Sequence, residues 1–225
     1  MRKRVIAILV VFAAASAAAF VFSDDIAGFL MAPVSSLGAR LYTFSPAEKF
    51  IAYMRLSVWT GIIVSLPFLL LQTGLFIWPA LRVSERKYAL AALTVVPVLF
   101  IAGAMMSYWF LSPVVMSFFL SFAASDSVQP LWGLGEYLAL LAGIMVAAGL
   151  LLQTPLLLLL SFSLGITTPR QVARARPYII LVIFLLAGIF TPPDVISQIA
   201  MGVPLYLLFE LSLLVGGLLS RKKPE

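Results

Sequence analysis

Six apolar stretches, at about 5–22, 52–76, 89–111, 137–161, 177–190 and 196–219, are separated by breaks that hold most of the charge. A continuous apolar run near twenty residues is the length of a helix that crosses about 30 Å of hydrocarbon. Inside a bilayer the backbone must satisfy its own polar groups, so a chain spans either as helices or as a closed barrel. Barrel strands alternate apolar and polar residues. These runs do not alternate, and the pattern predicts an all-α polytopic membrane protein of six transmembrane helices, folded as one domain over 1–225. Hydrophobic residues make up 63% of the chain and charged residues 11%. A soluble fold has no means of covering that much apolar surface.

The charges give the direction of insertion. Arg2, Lys3 and Arg4 precede the first stretch, and Arg82, Arg86 and Lys87 separate the second from the third. Arg170, Arg174 and Arg176 separate the fourth from the fifth, and Arg221, Lys222 and Lys223 follow the sixth. If the helices alternate in direction, all of these lie on one side. Asp24, Asp25, Glu48, Asp126, Glu136 and Asp194 fall on the other, opposed there by Arg40 and Lys49. Cytoplasmic loops carry the excess of Lys and Arg, so both termini are expected in the cytoplasm. The net charge of +6 is explained by this arrangement and needs no nucleic-acid partner.

The chain has no Cys and no His. Disulfides, thiolate or imidazole metal sites, histidine proton relays and Ser-His proteolysis each lose a required part. No G-x-x-x-x-G-K-[ST] run is present to cradle nucleotide phosphates. No cofactor, metal or enzymatic reaction is expected.

Local signals add detail. The basic start and Ala-rich Ser16–Ala19 also suit a cleavable signal peptide, although the apolar run reaches spanning length. Ile26, Phe29 and Leu30 before Pro33 suggest a short amphipathic helix at the outer interface. Ser45 is placed to cap the second span, with Pro46 and Glu48 in its first turn. Pro67, Pro97, Pro155 and Pro204 fall inside four spans, and bending at each predicts a curved, cup-like arrangement. Pro113 is expected to close the third span. Phe118, Phe119, Phe122 and Trp132 fall in the outer connection and are expected to pack. Gly143 and Ala147, four apart, suggest close helix packing. Leu69–Thr73 repeats as Leu150–Thr154, but the flanks differ and the match reads as coincidence.

The most informative stretch is Arg176–Glu210. A helix of about fourteen residues reaches only roughly 21 Å, and Thr191-Pro192-Pro193-Asp194 then turns the chain, with Asp194 placed to cap the next helix. Glu210 lies inside the following apolar run. A carboxylate there needs a proton or a partner, and Arg55 is one candidate counter-ion. Gln72 and Gln153 are further polar groups within spans.

Arg176-Pro177-Tyr178, then Thr191-Pro192-Pro193-Asp194 with Ser197-Gln198, then Pro204 and Phe209-Glu210, resemble the TatC family, whose members are the receptor and core subunit of the twin-arginine protein translocase. Pro46-x-Glu48-x-Phe50 is similar to a further family motif. The resemblance implies a prokaryotic cytoplasmic membrane protein that binds twin-arginine signal peptides of folded cargo, works in an oligomeric complex with single-span TatA/TatB-type subunits, and draws on the proton-motive force. It implies that Glu85, in the loop after Trp78-Pro79-Ala80-Leu81, holds the arginine pair, with Gln72 and Phe76 lining the same groove and Arg2 and Arg4 belonging to the family's N-terminal basic run. A guanidinium makes bidentate bonds to a carboxylate that lysine cannot imitate. The chain departs from the family twice. The acid usually found before the N-terminal basic run is absent, unless the true start lies upstream. Gln153 also stands where an intramembrane Glu is common, and its amide bonds but cannot titrate. Gln153, Glu210 and Gln198 are the candidate intramembrane contacts for partners. Two other classes remain: a small-solute or ion transporter using Glu210, Gln153 and Gln72 as a midplane site, and a structural scaffold.

Overall fold

The computed structural model describes residues 2–38, 40–80, 83–123, 131–190 and 195–220. Helices account for nearly all of it: α1 (Arg2–Val21), α2 (Ser23–Ser36), α3 (Glu48–Ile77), α4 (Val83–Met106), α5 (Ser112–Ala123), α6 (Leu134–Leu151), α7 (Thr154–Ser163), α8 (Pro169–Arg174), α9 (Arg176–Phe190) and α10 (Val195–Ser220). Two-residue strands β1 (Leu41–Tyr42) and β2 (Trp132–Gly133) pair in parallel. Among the described residues five helical stretches are long and apolar enough to span a membrane, and Arg176–Ile189 is a shorter sixth. The short fifth span matches the expectation from the sequence.

Backbone contacts divide the chain into two units, Met1–Leu69 with Ala104–Ala147, and Leu70–Gly103 with Ala148–Glu225. In the first unit, α2 buries Ala27, Leu30 and Val34; of the three residues whose spacing marked its apolar face, only Leu30 is buried, and Phe29 is half exposed. Pro33 inside α2 has no N–H, which deprives the Phe29 carbonyl of its usual donor. The Tyr108 hydroxyl supplies one, donating to Phe29 O at 2.6 Å, while its ring stacks on Phe29 at 4.5 Å. The Tyr137 hydroxyl donates to the next carbonyl, Leu30 O, at 2.7 Å.

Two boundaries differ from the sequence reading. Pro113 does not close the third span. A π turn at Ser107–Leu111 widens the helix, with Ser112 N–H donating to Ser107 O, and α5 continues beyond it. Proline is tolerated there because it falls in the first turn after the widened one. Ser45 does not start the second span. The helix begins at Glu48, whose N–H reaches Ser45 O at 3.1 Å and whose carboxylate accepts the Phe44 N–H. A carboxylate in the first turn thus reaches back to a donor just ahead of the helix, where its charge suits the helix N-terminus.

Outside the spans, Asp24 ties α2 to α3. It accepts from the Tyr53 hydroxyl at 2.7 Å and pairs with Lys49 at 3.3 Å. The Tyr53 hydrogen bond, and then Lys49, hold its carboxyl below the usual carboxylate range. A carboxyl whose pKa falls on folding contributes stability above its unfolded pKa, and that contribution disappears as pH drops through the folded value. Asp24→Asn should therefore flatten the acid side of the stability profile. Thermal melts of the detergent-solubilised protein between pH 6 and pH 3 check this: wild type should lose more than the variant.

In the second unit, α10 carries Met201, Leu205, Phe209 and Leu213, all buried, at helical spacing, and α9 contributes Ile183 and Ala187. A capping box starts α8: Thr168 Oγ1 accepts Gln171 N–H at 3.3 Å and Gln171 Oε1 accepts Thr168 N–H at 2.9 Å. The close packing is not at Gly143, where an added Cβ would meet Trp59 at an ordinary 4.0 Å. Backbone crowds a glycine where α4 meets the end of α6. A Cβ on Gly103 would stand 2.7 Å from Ala148 O and 2.8 Å from Gly149 Cα, and one on Gly149 would stand 2.7 Å from the Phe100 ring.

Candidate functional site

The candidate residues divide between the units. Arg2 and Arg4 lie in the first turn of α1. Gln72, Phe76, Glu85, Gln153, Gln198 and Glu210 belong to the second unit. Gln72 and Phe76, four apart near the end of α3, share one helix face, and Phe76 is exposed. A single turn of 3₁₀ helix, Trp78–Ala80, leads toward the start of α4. Glu85 occupies the first turn of α4. Its side chain lies outside the described residues, as do Pro192, Pro193 and Asp194.

Gln153 sits at the break between α6 and α7 and is buried. Pro155 cannot donate, so the helix is interrupted, and Gln153 N–H bonds to Leu150 O rather than to Gly149 O. The Gln153 side-chain amide fills that gap, donating to Gly149 O and to Val96 O on α4, each at 3.2 Å. Its Oε1 is buried with no donor among the described residues. The intrachain bond that the sequence left open is thus present, and one acceptor remains.

Glu210 has a partner, and it is not Arg55. Arg176, at the start of α9, engages both carboxylate oxygens, with Nε 2.8 Å from Oε1 and a terminal nitrogen donating to Oε2 at 2.9 Å. The Tyr206 hydroxyl donates to Oε1 at 3.0 Å from one turn earlier on α10. The pair is only partly covered, with side-chain exposures of 46% for Arg176 and 25% for Glu210. The fork geometry that suits a guanidinium to a carboxylate is therefore used inside this unit. Sequence reading missed Arg176 as the partner, although a signal was present: in a helical hairpin, residues equally far from the turn meet at equal depth, and Pro193 lies midway between Arg176 and Glu210.

Gln198 donates to Phe184 O across the same hairpin at 2.8 Å. An added Cβ on Gly188 would lie 3.1 Å from this amide, so the small residue leaves room for the bond. Glu210, Gln198 and Gln153 thus all make bonds within the second unit. Among the described residues no group of three acids, His or Cys stands together as a metal site.

Comparisons with known proteins converge. The profile of the family described as "Sec-independent protein translocase protein (TatC)" matches residues 1–204. The chain is 33% identical to a Sec-independent protein translocase protein TatC of Magnetococcus marinus over 91% of this chain and 76% of that protein. It is 32% identical to the TatC of Rickettsia prowazekii over 94% of this chain and 87% of that one. A crystal structure of a twin-arginine translocase receptor TatC in DDM superposes with a TM-score of 0.82 at 30% identity, covering 96% of each chain.

Proposed function

The chain belongs to the TatC family, and from that premise we propose that it is the twin-arginine signal-peptide receptor and core subunit of a translocase that exports folded proteins across a prokaryotic cytoplasmic membrane. The observation that carries this is the match of 1–204 to the family, which takes in the stretch from Gln72 to Lys87. In this reading both termini are cytoplasmic, as the distribution of basic residues favours. Glu85 then faces the compartment from which cargo arrives and holds the arginine pair, with Gln72 and Phe76 beside it and Arg2 and Arg4 on the same side. Single-span TatA/TatB-type subunits dock on the helix walls near the short fifth and the sixth spans. The short α9 thins the bilayer locally and lowers the barrier to passage.

The bonding pattern supports Glu85 as the recognising acid. Glu210 is engaged by Arg176 and Tyr206, which leaves its oxygens poorly placed to take a second guanidinium. The same bonds remove the support for a small-solute transporter, since Glu210 and the Gln153 amide, offered as its midplane site, are tied within the chain.

Binding of a twin-arginine signal peptide, against its twin-lysine form, tests the proposal. One charge-assisted hydrogen bond is worth about 1.5–3 kcal/mol, so losing one should cost at least about tenfold in affinity. Wild type should prefer the arginine peptide by that factor, and Glu85→Gln should bind both alike. Discrimination that survives Glu85→Gln would remove Glu85 from the recognition site.

A further inference from the structure

A second site lies in the first unit, remote in sequence from the signal-binding loop. A cavity of about 210 Å³ opens between α5 and the start of α6, lined by Phe119, Trp132, Tyr137, Glu136, Met116 and Leu140, with Gly133 at one wall. The volume exceeds the roughly 150 Å³ that admits a benzene ring. Three aromatic side chains and a carboxylate line it, with no basic side chain among the described lining residues. A second carboxylate stands close by, since a Cβ added to Gly133 would be 3.3 Å from Glu48 Oε1 and 3.3 Å from the Phe44 ring. Tyr137 is fixed by its bond to Leu30 O, and β2 holds Trp132 against Leu41.

Aromatic faces attract cations through their quadrupole, and an aromatic lining with an acid is the chemistry that selects an ammonium group. Depth selects its source. The lining residues sit at the end of the Leu90–Phe122 span and the beginning of the Leu134–Ser163 span, where a bilayer places its headgroups and where Trp and Tyr concentrate. Met116 and Leu140 give the cavity an apolar side suited to the upper part of an acyl chain. We propose that this cavity binds the ammonium headgroup of a phospholipid of the phosphatidylethanolamine class. Glu136 neutralises the ammonium, the three rings enclose it, and the phosphate stays in the headgroup layer.

Native mass spectrometry of the full-length protein, released from micelles doped with phosphatidylethanolamine or with phosphatidylglycerol of the same chains, reads retention directly. Phosphatidylethanolamine should be retained several-fold more, and N-acylation of its amine, which removes the charge, should abolish the preference. Glu136→Gln changes an exposed residue conservatively and should reduce retention several-fold. Trp132→Phe, which keeps a ring, should reduce it less than Trp132→Leu. Equal retention of the two lipids, or a preference unaffected by Glu136→Gln and by Trp132→Leu, overturns the proposal. Displacement of the lipid by a lysine-bearing peptide at equal concentration would assign the site to a polypeptide cation and overturn it too. Signal-peptide binding at Glu85 is a separate readout that these variants should leave unchanged.

Discussion

Arg176→Leu will lower the stability of the protein, and Glu210→Leu placed in the same chain will recover most of the loss. The single substitution strands a carboxylate inside α10, where both its oxygens are now engaged by the guanidinium. Breaking a buried ion pair by removing one partner costs about 3–5 kcal/mol, because the remaining charge keeps its desolvation penalty and loses its compensation. The loss here is smaller than for a buried pair, because Arg176 is 46% exposed and the headgroup layer or water takes up part of the field. Replacing both members by apolar residues removes the penalty along with the attraction, which is often close to neutral. Unfolding titrations in mixed micelles on wild type, both single variants and the double variant give the coupling. Strictly additive losses would mean that the pair contributes nothing as a pair. Arg176→Lys separates charge from geometry: lysine keeps the charge but cannot make the two-pronged contact, so it should recover only part of the stability.

That pair also shows where sequence reading succeeds and fails. The spans were legible because each depends on a local property, a run of apolar side chains long enough to cross the bilayer. The short α9 was legible as an apolar run that stops short of that length, and α2 as a helix from the spacing of its apolar residues, although the face it buries runs through Ala27, Leu30 and Val34. The partner of Glu210 was missed because Arg55 was considered by charge alone, while the geometry of the hairpin points to Arg176. Pro113 was read as a stop because its local rule is to end helices. The π turn at Ser107–Leu111 precedes that residue, the helix carries on past both, and no periodicity signals such a turn. Gln153 was recognised as polar and non-titrating, but its bond to Val96 O depends on α4 lying alongside, and that is a tertiary fact. The candidate site was legible at Glu85 only through likeness to a family, because a lone acid among basic residues in a loop has no distinguishing local chemistry.

Gly103→Leu should be the most damaging small change in the second unit, costing more than about 3 kcal/mol or preventing accumulation of folded protein altogether. Overpacking a filled interior usually costs about 1–3 kcal/mol, because neighbouring side chains can rotate away. At Gly103 the obstacle is backbone: Ala148 O and Gly149 Cα lie 2.7 Å and 2.8 Å from where the first side-chain carbon would go. Backbone cannot change rotamer, so the helices must separate, and separation pulls Val96 O away from the Gln153 amide and the Phe100 ring away from Gly149. Small residues at such crossings provide the close packing that holds helices together in lipid, where no hydrophobic force distinguishes helix from solvent. Gly103→Ala should therefore already be costly despite alanine's better helix propensity. Gly28→Ala is the control. Gly28 lies inside α2 with nothing within 4 Å of an added Cβ, so alanine there should be neutral or stabilising by about 0.5–1 kcal/mol. Folded yield by fluorescence-detected size exclusion, followed by thermal melts, will rank the variants as Gly28→Ala, wild type, Gly103→Ala and Gly103→Leu from most to least stable. A Gly103→Ala protein as stable as wild type would mean that the α4–α6 crossing has slack that these distances do not allow.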